Sequence, residues 1–190
     1  MKYKNYIINT FRHFKKVCTH KRWVFYYCCK VGIPFQGLMH DLSKFSPTEF
    51  LESVKYYQGT SSPIDACKKE NGWSVAWMHH KGRNKHHYEY WQDNFDNGGN
   101  PIEMPMKYKK EMLCDYLGAG RAYHGKSFNF EKELKWWESK KSKPIAMHPN
   151  DMAFIDKYIN LFYEYENREY NIRTCLLYTS PSPRDGLLSR

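Results

Sequence analysis

The sequence has no CxxC pair, no segment of strict apolar and polar alternation, and no uninterrupted apolar run of membrane length. Its cysteines, at positions 18, 28, 29, 67, 114 and 175, lack the density of a disulfide framework, which points to reduced thiols and a cytoplasmic location. The most apolar stretch, Trp23 to Met39, is interrupted by Lys30, Pro34 and Gln36. It falls short of the about 20 residues that cross a bilayer, so no membrane partner is expected. No secretory core follows Met1, and no helix-turn-helix, zinc-finger or RNA-binding signature supports sequence-specific nucleic-acid recognition. Without strand-like alternation, an all-α fold is the expectation.

Acidic residues are also scarce, 20 against 30 lysines and arginines, giving a formal charge of +10. The cations are scattered among aromatics, which suits a solvated basic surface and equally the attraction of phosphates. A chain of 190 residues with 41% hydrophobic content is one domain's worth and can bury a core.

What the sequence does contain is histidine and aspartate in a marked order: His20, then His40-Asp41, His79-His80, His86-His87 and Asp115. Neutral imidazole beside carboxylate suits a divalent cation such as Mn, Fe, Zn, Co or Mg. Neighbouring histidines on a helix point about 100° apart, so one of each pair is expected to bind metal. His80 and His87 are favoured, leaving His79 and His86 either to support the ligands from behind or to face substrate. Asp115 borders an apolar stripe of Met112, Leu113, Tyr116 and Leu117 and needs a partner there. His13, among lysines, reads as a surface histidine.

Helical spacing predicts a helix over 4–17, a second over 19–31 capped by Thr19, and a third over 34–42 that carries the His40-Asp41 pair near its end. Ser46-Pro47-Thr48-Glu49 has the form of a capping box, which makes Glu49 a structural residue. A polar connection over 64–71 leads to a short helix over 73–80. Another helix spans 105–117 and ends at Gly118-Ala119-Gly120, and two more close the domain over 130–137 and 149–165.

The order of these ligands, with Lys44 three residues after Asp41, resembles the HD-domain superfamily of metal-dependent phosphohydrolases. More closely, the segments Met39-His40-Asp41-Leu42-Ser43-Lys44-Phe45, Trp77-Met78-His79-His80, Asn84-Lys85-His86-His87-Tyr88-Glu89-Tyr90-Trp91 and Cys114-Asp115-Tyr116-Leu117-Gly118-Ala119-Gly120 are similar to an uncharacterised HD-like family. The resemblance implies a helical bundle around a metal site. His20, His40, Asp41 and Asp115 would hold one ion, with further histidines serving a second ion and Asp41 as the bridge. It implies one or two divalent ions and hydrolysis of a phosphate ester or phosphoanhydride in a phosphorylated small molecule or nucleotide. Lys44, Arg83, Arg121 and His124 are candidates to hold the phosphate, and His79 or His86 to protonate the leaving group. Two alternatives share the ligand set: an HD-like di-iron oxygenase, and a non-catalytic nucleotide-binding module stabilised by metal.

Residues Cys175 to Asp185 resemble a translated transposon-end sequencing adapter, and Gly186 to Arg190 fit its continuation. The expected domain is therefore 1–174, truncated at its C-terminus, followed by a non-native tail over 175–190.

Overall fold

A computed structural model describes residues 2–93, 96, 98–164 and 166, with side chains from Tyr6 onward. The tail over 175–190 lies outside the described residues. Eight α-helices make up the described fold: α1 (Lys2–Lys30), α2 (Pro34–Met39), α3 (Pro47–Lys55), α4 (Pro63–Asn71), α5 (Val75–Arg83), α6 (Met106–His124), α7 (Phe130–Lys141) and α8 (Pro149–Glu164). No strand occurs among the described residues; an isolated bridge between Gln92 and Pro101 pinches the loop before α6.

The break expected near Thr19 does not occur. Its hydroxyl donates to the Lys15 carbonyl at 2.8 Å, so it sits within one continuous α1 rather than capping a second helix. The inward face of α1 carries Val17, His20, Val24, Tyr27 and Cys28, whereas Ile7, Phe11 and Phe14 stay exposed.

Helix α6 packs along α1 and continues through Gly118 to His124, past the predicted stop. A Cβ at Gly118 would lie 2.5 Å from Val24 Cγ2, so this glycine serves close helix approach rather than termination. Gly37 does the same for α2, where a Cβ would lie 2.6 Å from Cys28 Cβ.

The expected connection over 64–71 is helix α4, opened by Pro63 and closed by Gly72 in the left-handed region at φ 81°. Helix α3 starts as predicted, with the Glu49 amide donating to Ser46 Oγ at 3.4 Å. Helix α5 starts with the Trp77 amide donating to Ser74 Oγ at 3.0 Å. The Glu52 carboxylate accepts the Val75 and Ala76 amides at 3.2 and 3.1 Å, tying α3 to α5.

Helices α7 and α8 close the core with Trp137, Ile155, Tyr158, Ile159 and Phe162 against Val24, Tyr27, Leu113 and Leu117. Each such fully buried side chain contributes roughly 1.5–3 kcal/mol. The frame that carries the polar residues is thus held by apolar packing on α6's other side.

Candidate metal centre

The His40-Asp41 pair does not sit on a helix. Helix α2 ends at Met39, and Asp41 takes φ 53°, the left-handed region, before a 3-10 turn over Leu42–Phe45. Aspartate tolerates this conformation better than most residues, and here it turns a fully buried carboxylate inward. Lys21 of α1 fixes the turn by donating to the Leu38 and His40 carbonyls.

Two sets of donor atoms meet on Asp41. On its Oδ2 side, His20 Nε2 lies 3.4 Å away and His40 Nε2 3.1 Å away. Asp115 Oδ1 completes the set at 3.1 Å from His20 Nε2 and 3.3 Å from His40 Nε2. Donors held about 2.1 Å from one cation stand about 3.0–3.4 Å apart in octahedral or tetrahedral arrangements. The spacing fits. On the Oδ1 side, His80 Nε2 and His86 Nε2 lie at 3.3 and 3.5 Å, and His87 joins them in a group that could hold a metal ion.

Polar atoms left over at this centre support the same fit. Both Asp41 oxygens, His86 Nε2 and His87 Nε2 are buried and receive no well-aligned hydrogen bond. Lys44 Nζ does lie 2.5 Å from Asp41 Oδ2, as an ion pair without hydrogen-bond alignment. Unsatisfied buried groups cost about 1–3 kcal/mol each, and this cluster of them has a spacing that could hold a cation.

The outer nitrogens of the imidazoles are tied down by two glutamates. His40 Nδ1 and His86 Nδ1 donate to Glu111 Oε1 at 3.0 and 3.2 Å, while His80 Nδ1 and His79 Nδ1 donate to Glu49 at 2.8 and 2.6 Å. With Nδ1 protonated, the Nε2 lone pairs of His40, His80 and His86 face the centre, as metal-binding histidines require. Gln36 Nε2 in turn donates to Glu111 Oε2 at 3.0 Å.

Glu49 is therefore more than a capping residue: its amide serves the cap and its carboxylate orients two histidines. Sequence reasoning missed Glu111 altogether. The available signal was its place one helical turn before Asp115, on the same face of α6.

Asp41, Glu49, Glu111 and Asp115 are all buried, and Lys44 pairs with Asp41. Without a metal ion, protons must offset the surplus negative charge. Burial alone would push His40 down, but Asp41, Asp115 and Glu111 raise it well above its ordinary range. Burial would raise Glu111, yet hydrogen bonds from His40 and His86 hold it down to about 2. Asp41 and Asp115 are likewise held well below the usual carboxylate range, against their burial, by the neighbouring imidazoles, with Lys44 adding to the effect at Asp41. Burial keeps His86 and His87 low, hence neutral and fit to donate a lone pair.

The structure thus brings His20, His40, Asp41, His80, His87 and Asp115 together, and adds His86, which was expected to support the ligands or to face substrate. Both His86 and His87 lie in the group around Asp41, where one of the pair was expected, because this segment is not helical; His87 is extended, at φ −87° and ψ 126°. On α5, His80 faces Asp41 and His79 turns to Glu49.

A cavity of about 190 Å³ opens above the centre, bordered by His20, Lys44, His80, His87 and Asp115, with Lys16 and Tyr123 further out. Neither His79 nor His86 borders it. Nor do the expected phosphate ligands Arg83, Arg121 and His124. Arg83 is exposed at the end of α5. Arg121 Nε donates to Tyr27 Oη at 3.0 Å, and its guanidinium stacks 4.3 Å from the Phe128 ring centre, so it braces α1 against the segment after α6. His124 is exposed at the C-terminal end of α6.

Nothing among curated proteins and nothing among solved structures matches the chain. A family model does: its description reads "Family of unknown function (DUF5662)", and its match spans residues 9–161, from the cavity face of α1 to within α8. Every residue of the centre falls inside that span, and the chain belongs to this family.

Proposed function

We propose that the protein is a metal-dependent hydrolase of phosphomonoesters that holds two divalent cations across the Asp41 carboxylate. The observation that carries the reading is the convergence on Asp41 of unsatisfied donor atoms at metal-ligand spacing, at the floor of a cavity that also presents lysine. His20, His40, Asp41 and Asp115 would hold one ion; Asp41, His80, His86 and His87 would hold the other. When bound, such ions supply Lewis acidity toward phosphoryl oxygens and a water nucleophile available near neutral pH.

The chain's own groups do the rest. Glu49 and Glu111 hold the imidazoles in the tautomer that faces the centre, so no reorganisation is needed when substrate arrives. Lys44, kept charged by Asp41 and Asp115 despite its burial, adds positive charge at the cavity floor where equatorial phosphoryl oxygens would lie. Water adds to phosphorus, the ester P–O bond breaks, and an alcohol and inorganic phosphate leave.

A histidine-rich donor set also accommodates iron, which favours oxygen chemistry as the second reading. One preparation separates the two: the full chain is purified without added metal, its metal content is measured by elemental analysis, and p-nitrophenyl phosphate hydrolysis is followed before and after chelation and Mn²⁺ addition. Stoichiometric metal with chelator-sensitive hydrolysis supports the phosphohydrolase. Bound iron with oxygen-dependent absorption changes and no hydrolysis would replace it with the oxygenase.

A further inference from the structure

Residues 6–46 hold a single acidic side chain, Asp41, and it is wholly buried at the metal centre. No carboxylate of this stretch therefore reaches solvent. On α1, His13, expected at the surface, is buried, while Ile7, Phe11, Phe14 and Phe25 are exposed, Phe11 by 71%. At about 100° per residue these four fall within an arc of about 60°, which makes them one stripe along the helix. The cations Arg12, Lys15 and Arg22 are exposed on the arc beside it.

The segment after α1 extends the apolar surface. Phe35 and Leu38, one turn apart on α2, are exposed by 73% and 60%, and Met39, Leu42 and Phe45 are exposed after them. This segment is packed onto α1. The Phe45 ring lies 5.9 Å from that of Phe14, and Lys21 Nζ donates to the Leu38 carbonyl at 3.3 Å. A Cβ at Gly37 would lie 3.0 Å from Phe25 Cα. The two sets of exposed side chains thus adjoin. With aromatic side chains of roughly 150–250 Å² each, they leave more apolar surface than the roughly 300–600 Å² of the largest patch on a typical monomer.

Charge restricts what covers this face. A second copy would set Arg12, Lys15 and Arg22 against their own counterparts, with no exposed carboxylate in residues 6–46 to answer them. An anionic bilayer answers both features: its headgroups attract the cations, and its acyl chains take up protruding Phe and Leu side chains without a preformed pocket. No helix among the described residues is long and apolar enough to cross a membrane. Lying on one needs no such span.

We propose that the α1 stripe and the segment over 35–45 dock on the surface of an anionic phospholipid membrane. Phe11, Phe35 and Leu38 enter the acyl boundary, and Arg12, Lys15 and Arg22 meet the headgroups. The chemistry at the metal centre is a separate matter.

The test mixes the full chain with vesicles of phosphatidylcholine alone, or with about 30% phosphatidylglycerol, and measures bound protein by co-sedimentation. Each cation at an anionic surface adds about fivefold in affinity, so the combined variant Arg12→Gln, Lys15→Gln, Arg22→Gln should bind anionic vesicles about 100-fold more weakly. Phe11→Ser and Phe35→Ser, on different helices and both outside the core, should each cost about 10-fold. Salt at about 1 M, which shortens the screening length to about 3 Å, should weaken wild-type binding. The proposal is overturned if neither vesicle binds, or if both bind equally. It is overturned as well if both serine variants bind like wild type, since net charge alone would then explain attachment. A wild-type dimer in analytical ultracentrifugation that becomes monomeric in Phe11→Ser or Phe35→Ser would give the face to a second copy instead.

Discussion

Asp41 and Asp151 are both completely buried, yet the chain treats them oppositely. Asp151, in the first turn of α8, accepts the Met104 amide on both oxygens at 3.2 and 3.1 Å and pairs with Lys109 Nζ at 3.0 Å. Lys109 also meets Glu103, which Asn150 steadies through a 2.7 Å hydrogen bond. Every charge in that group has a partner from the chain, and the group's effect is to pin the loop before α6 to the start of α8. At Asp41, by contrast, both carboxylate oxygens are buried without an aligned hydrogen bond, and the ammonium beside them is that of Lys44. Burial alone therefore does not mark a functional carboxylate. What marks it is the failure of the surrounding chain to satisfy it.

The largest contrast should come from neutralising each aspartate in turn. Asp41→Asn is expected to lose bound metal entirely and to lower hydrolysis by about 10³-fold or more, since several kcal/mol of charge stabilisation go with the ions. Asp151→Asn should retain full metal content and turnover per folded molecule. Elemental analysis and a phosphatase assay on both variants check this, and metal lost from Asp151→Asn would collapse the distinction.

Stability should show the converse. Asp151→Ala leaves the Lys109 ammonium, 4% exposed, with Glu103 alone and strips the Met104 amide of its acceptor, and is expected to cost about 1–3 kcal/mol in urea unfolding. Adding Mn²⁺ at about 100 times its dissociation constant should stabilise wild type and Asp151→Ala alike by about 2.7 kcal/mol, and leave Asp41→Asn unmoved.

A smaller effect is expected at Glu111, which touches the centre only through His40 and His86. Glu111→Gln keeps the shape but weakens the hold on both Nδ1 hydrogens, and should reduce metal affinity about 10- to 100-fold. Competition with a chelator of known affinity measures it. An unchanged affinity would mean that the two imidazoles are oriented by packing alone.

The two regions were not equally legible in the sequence. Spacing gave the helical class, and residue chemistry singled out His20, His40, Asp41, His80, His87 and Asp115, which the fold brings into two groups that could hold a metal ion, because such donor sets need particular residue types whatever their surroundings. The Lys109 and Asp151 pair left no trace, since surface salt bridges use the same residues. Helix α1 was split at Thr19 because a threonine hydroxyl serves a cap and a back-bond to the preceding turn equally well. Its inward face was not legible either: Ile7, Phe11 and Phe14 repeat at helical spacing yet are exposed, and His13 is buried beside them. Periodicity locates a helix but cannot say which stripe faces in. Gly118 read as a stop because its role, close contact with Val24, depends on a helix nearly a hundred residues away.

A third buried carboxylate sharpens the comparison, and its expected effect is the smallest. Glu133 of α7 is 3% exposed and lies against Gly120, where a Cβ would overlap its Oε2. Burial, reinforced by the Asp115 charge, raises its carboxyl from the usual 4.5 to about 8, so near neutral pH it keeps its proton. The native state then binds a proton that the unfolded state has released above pH 4.5, and wild-type stability falls as pH rises from there toward about 8. Glu133→Gln carries no such proton. Its stability relative to wild type should therefore improve by about 1.4 kcal/mol between pH 6 and pH 7, and stop improving above about pH 8. Urea unfolding at the three pH values reads this directly. A constant difference would mean that Glu133 is ionised and paired like Asp151, and that the chain resolves its buried carboxylates in two ways rather than three.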